Sequence, residues 1–161
     1  MTYKLPTTTE LWNVIKARLL ADPVIQKLLY GPGHIFKEGE DYGEPEGDES
    51  SPWSRLVIAP AMSLWPQADA PGMLNPIAFI VRAECNNFQA PNFDKQLALE
   101  GLHKQVQTLL DGWAPDPASM GTTKVAFPIF LQRIIEPRLM WDEQRKLNFM
   151  TVEYRTEVIT A

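Results

Sequence analysis

The stretch Phe149-Met150-Thr151-Val152-Glu153-Tyr154-Arg155-Thr156-Glu157-Val158 carries the cleanest alternation in the chain. Met150, Val152, Tyr154, Thr156 and Val158 occupy one parity, and Thr151, Glu153, Arg155 and Glu157 the other. Side chains of a β-strand point alternately to opposite faces, so this pattern predicts a strand buried on one side and wet on the other. Upstream, Ile77, Phe79, Val81, Ala83 and Cys85 alternate with Ala78, Ile80, Arg82 and Glu84. That reads as a second strand, apolar on both faces in its first half and wetter on one face in its second.

Between these strands lies a helical period. Asp94 precedes Ala98, Leu99, Leu102, Val106, Leu109 and Leu110, which share one face, while Lys95, Glu100, Lys104 and Gln107 take the other. Asp111-Gly112 stops this helix, and Pro115 and Pro117 forbid its continuation. Val125, Phe127, Ile129 and Leu131 alternate again and predict the arm that pairs with the last strand; Pro128 places part of it at an edge or bulge. The charged run from Glu136 to Lys146 is read as the connection between the arms.

Toward the N-terminus, Thr7 and Glu10 have capping-box spacing, and Leu11, Val14, Ile15 and Leu19 form an apolar stripe behind them. Asp22-Pro23 restarts a helix as N-cap and first-turn proline, with Val24, Ile25, Leu28 and Leu29 as its apolar content. Gly31-Pro32-Gly33 ends it. His34-Ile35-Phe36 and Arg55-Leu56-Val57-Ile58-Ala59 supply two further strands. The expected fold is one α+β domain over residues 1–161, in the order α-β-β-β-α-β-β. Its mostly antiparallel sheet has about four to five strands, with the long helix and the N-terminal helix pair on one face. An acidic, flexible loop at 37–52 and a proline-rich loop at 63–75 interrupt it.

Composition narrows the function. A net charge of -5 and a pI near 5.0 disfavour a dedicated nucleic-acid binder, which needs excess Lys and Arg to displace counterions from phosphates. Cys85 is the only cysteine, so no intrachain disulfide or thiolate metal cluster is available, as suits a reducing cytoplasm. The N-terminus lacks the apolar core of a signal peptide, and no run approaches the ~20 apolar residues that span a bilayer. The expectation is a soluble protein with no membrane role.

Catalytic signals are weak. His34 and His103 have no Ser, Cys or carboxylate at a nucleophile or metal spacing and read as surface or edge histidines. Cys85 reads as a packed thiol. No phosphate-binding glycine loop occurs, and the acidic segment Glu38–Glu49 departs from calcium-loop spacing. No catalytic residue, metal or cofactor is therefore expected.

Surfaces carry more. The seven acids between Glu38 and Glu49 repel one another by about 0.6 kcal/mol per pair at ~7 Å in water, so that segment gains order only against basic groups. Arg133, Arg138, Arg145 and Lys146 gather near the other end of the chain. Identical subunits in a ring would bring Glu40, Asp41 and Glu44 of one copy to Arg133, Arg138 and Arg145 of the next. Trp53, Trp65, Trp113 and Trp141, with Met62, Met73, Met120 and Met140, fall in loops or at element ends, either as lids over the core or as interface anchors, with Trp65 the chosen anchor.

The combination of Asp22-Pro23-Val24 after the first helix, Ile77-Ala78-Phe79-Ile80-Val81 before a long helix, Phe127-Pro128-Ile129 and the closing Phe149–Arg155 pattern resembles the tail terminator (tail completion) proteins of long-tailed, lambda-type bacteriophages. The resemblance covers nearly the whole chain and rests on element order and length, with no invariant motif. It implies a virion protein assembled in the host cytoplasm, working as a ring, usually a hexamer. Such a ring caps the tail tube, ends its polymerisation and meets a neck or head-completion protein. DNA then crosses the lumen without specific binding, a passage that net negative charge favours. A head-completion or neck connector, or a small α+β enzyme or ligand-binding domain, are the competing expectations.

Overall fold

The computed structural model describes residues 8–29, 35–37, 53–60, 74–86, 94–116, 132–133 and 138–159. Within them run α1 (Thr8–Ala21), α2 (Pro23–Leu28), β1 (Ile35–Lys37), β2 (Ser54–Pro60), β3 (Leu74–Asn86), α3 (Lys95–Leu110), β4 (Gln132–Arg133), β5 (Met140–Asp142) and β6 (Leu147–Ile159). The strands form one sheet in the order β1-β2-β3-β6-β4, with β5 also paired to β6. All pairings are antiparallel except β1 with β2. Parallel neighbours need a long return connection, and residues 38–53 provide it. The α+β fold with a mostly antiparallel sheet, three helices and a long α3 is as the sequence predicts.

β3 and β6 form the spine, paired from Leu74 opposite Ile159 to Asn86 opposite Leu147. This register places Phe79, Val81, Ala83 and Cys85 beside Tyr154, Val152, Met150 and Asn148 on the face that the helices cover. Phe79 and Tyr154 are direct partners, with ring centroids 5.5 Å apart and planes at 17°. From above, α1 contributes Leu11, Ile15 and Leu19, and α3 contributes Leu99, Leu102, Val106 and Leu110, all fully buried in the same cluster. Each such side chain is worth about 2 kcal/mol on leaving water.

The helix ends are built as their sequences dictate. Asp22 accepts a hydrogen bond from Ile25 N at 3.2 Å and starts α2; Asp94 does the same for α3 through Leu97 N at 3.1 Å. Gly112, at φ 75°, takes the left-handed conformation that turns the chain out of α3. Asp22 also accepts from Gln105 Nε2 at 2.8 Å, tying α2 to α3. Arg18 Nε donates to Leu109 O at 2.8 Å while its guanidinium lies 4.4 Å from the centre of the Trp113 ring, tying α1 to the end of α3.

Three expectations change. β5 lies inside the run from Glu136 to Lys146 that the sequence reads as connection. The second half of β3 is drier than its alternation implies, because Glu84 and Asn86 are both buried. Finally, His103 is no surface histidine: it is only 3% exposed and faces the sheet. Thr7 of the expected capping pair, the arm at Val125–Leu131 and both predicted loops lie outside the described residues, apart from Lys37 at the end of β1 and Leu74–Asn75 at the start of β3; Glu10 lies in α1.

Candidate assembly surface

β5 and β6 join through a tight turn. Asp142 pairs with Leu147, and its Oδ1 accepts from both Gln144 N and Arg145 N at 3.0 Å, mimicking a backbone turn. Lys146, at φ 50°, makes the left-handed step back into β6. The outer side of this hairpin is apolar and wet: Leu139, Met140 and Trp141 are 40%, 51% and 43% exposed. Met140 stands opposite Phe149 and Trp141 opposite Asn148, so the two exposed side chains leave β5 on opposite faces of the sheet. Edge strands are commonly guarded with charge, proline or bulges. Here the apolar ledge is flanked by exposed Arg138 and by Glu143, which accepts from Trp141 Nε1 at 2.6 Å.

Behind the turn, on the sheet face opposite the helices, lies a buried charge cluster. Glu84 is fully buried; Arg55, its register partner on β2, donates through Nε at 2.6 Å. Arg82 Nε donates to the other oxygen at 2.6 Å. Arg145 reaches back from the turn with Nη1 at 2.9 Å and Nη2 at 3.4 Å. Burial by itself would push the Glu84 carboxyl up, but Arg55 first, then Arg82, outweigh it, and the carboxyl is held below its usual range. Trp53 closes one side, its ring 5.0 Å from the Arg55 guanidinium and its backbone N–H donating to Asn86 Oδ1 at 3.2 Å.

The residues that the sequence singles out fare differently. Glu40, Asp41, Glu44 and Trp65 lie outside the described residues. Arg133 is on β4, opposite Tyr154 in the ladder. Arg138 is exposed beside the apolar ledge. Arg145 is engaged within its own chain, held by a carboxylate 61 residues away that no spacing rule connects to it. Among the tryptophans and methionines, Trp53 and Trp113 act as lids and Trp141 and Met140 stay exposed. Leu139 and β5 itself were missed, because a strand of three residues in a charged run has too little length to display a period.

Chemically reactive groups are quiet. Burial pushes the Cys85 thiol up to about 12, which leaves it protonated and inert. His103 Nε2 donates to Met150 O at 2.8 Å, while Nδ1 has no hydrogen-bond partner among the described residues. Among those residues no group of three or more His, Cys, Asp and Glu could hold a metal ion, and no helix is long and apolar enough to cross a membrane.

No protein-family model matches this chain, and no curated protein does. Among solved structures it is similar to a chain of the virion of a native gene transfer agent (GTA) particle, at 14% identity and a TM-score of 0.63. That likeness covers 97% of this chain and 99% of the other, so the two share one fold from end to end.

Proposed function

We propose that this protein is a structural component of a phage-like virion, and within it the ring-forming terminator of the tail tube. The observation that supports the virion role is the end-to-end likeness to a chain of a gene transfer agent virion, with almost nothing left over on either side. The finer reading, a ring that caps the tube, draws on the resemblance in element order and on an exposed apolar edge strand flanked by Arg138. Closed rings form when one surface of a subunit meets a different surface of the next. The reading assigns no catalysis and no specific hold on DNA, which would pass along an axis lined by a net-negative protein.

The test is electron microscopy of the purified protein mixed with tail tubes and, separately, with portal complexes, alongside its mass in solution. Discrete rings on tube ends, with tube growth stopped, are the expected result. Binding to portal or adaptor alone would make the protein a neck connector. A strict monomer that ignores both would end the virion-assembly reading.

A further inference from the structure

Arg145 and Glu84 join two parts of the molecule that the ladder alone connects loosely. β5 has three residues, and Met140 and Trp141 keep much of their surface in water, so hydrophobic burial does little to hold β5 in place. Its turn also contains a non-glycine residue in the left-handed region, Lys146. Meanwhile the charge of Glu84 is already met inside the sheet by Arg55 and Arg82. A third guanidinium, brought by the turn and set with two prongs on the same carboxylate, adds a mechanical link. We propose that Glu84 is a positioning residue: by holding Arg145 it locks the β5–β6 turn onto the sheet and fixes the direction in which Leu139, Met140 and Trp141 are presented. The lock stands on this geometry; its consequence for assembly rests on the reading of the preceding subsection.

Hydrogen exchange of the purified full chain tests it. Arg145→Gln removes the arm from the turn and leaves the Arg55–Glu84–Arg82 set inside the sheet. Amides from 140 to 149 should then exchange roughly tenfold faster or more, the loss expected for a hydrogen-bonded charged pair, while those from 79 to 83 and from 150 to 154 keep their protection. Arg138→Gln, a change of charge in the same region, should leave the whole pattern alone. In a Glu84→Gln background, adding Arg145→Gln should produce no further loosening of the hairpin. Unchanged exchange in Arg145→Gln, a uniform rise across the molecule, an equal effect of Arg138→Gln, or additive effects in the double variant would each overturn the lock. Should Glu84→Gln fail to fold, the two arginine variants decide alone. Capture by tube ends, measured on Arg145→Gln, separates the two ideas. A loosened hairpin with capture intact keeps the lock and removes β5 from the contact surface. An unchanged hairpin removes the lock whatever capture does.

Discussion

His103 and Glu84 are both titratable groups withdrawn from water, and the fold treats them in opposite ways. Glu84 stays charged because guanidiniums replace its hydration. His103 has no such partner: burial, only partly opposed by the bond to Met150 O, lowers its pKa below the ordinary 6.5 and keeps the ring neutral. The unfolded chain therefore binds a proton that the folded chain refuses once pH drops below about 6.5. Stability from this residue is complete above that value and falls as pH descends from it toward the depressed native pKa. Urea midpoints measured from pH 8 to pH 5 should decline on the acid side, and His103→Gln, whose amide can still donate to Met150 O but cannot titrate, should flatten the decline. Equal slopes for both proteins would show that the buried ring is not the proton-linked group. Helical spacing already carries this burial: His103 stands four residues after Leu99 and three before Val106, on the apolar face of α3, and only the residue type argues for the surface.

Elements in this protein are set by their ends as much as by their stripes. Asp22 serves two of them, capping α2 through Ile25 N and receiving Gln105 of α3. Asp22→Ala should cost about 1–2 kcal/mol in chemical denaturation, more than a cap on an isolated helix, because an interhelical bond goes with it. The turn between β5 and β6 offers the reverse sign. Lys146 occupies φ 50°, where a Cβ is strained, and Lys146→Gly should raise stability by about 0.5–1 kcal/mol in the same assay, after the entropy of glycine is deducted. α1, α2, α3, β2, β3 and β6 were legible in the sequence, because each has either a capping residue or enough length to show its period. β5 was not, and neither was the Glu84 cluster. The alternation of β3 correctly put Arg82 and Glu84 on one face, but only the sheet register brings Arg55 opposite Glu84, and only the turn brings Arg145 over it. Pairings across 29 and 61 residues leave no local trace.

At the scale of the whole molecule, the sheet keeps its helices on one face, its buried charges on the other and its apolar ledge at one edge. The sequence expects charged contacts through the arginines together with an apolar anchor. Arg145 cannot serve a neighbour without leaving Glu84, whereas Arg138 and Trp141 are both exposed at β5. If assembly runs through this ledge, its affinity is chiefly apolar, since aromatic anchors dominate interface energetics and exposed ion pairs contribute little. Trp141→Glu should then leave the monomer folded, because the side chain lies outside the core, yet reduce capture on tube ends by at least about a hundredfold, as expected for an anchor worth ~3 kcal/mol. Arg138→Glu should weaken capture far less, and its effect should vanish as salt rises toward 0.5 M, where exposed charges about one Debye length apart no longer sense each other. Sedimentation velocity for the free protein and pelleting with tail tubes read both variants. If Trp141→Glu assembles as the wild type does while Arg138→Glu fails, the contact is electrostatic and lies with the arginines after all; if neither variant changes capture, β5 is not the contact surface and the proposed ring would have to close through another one.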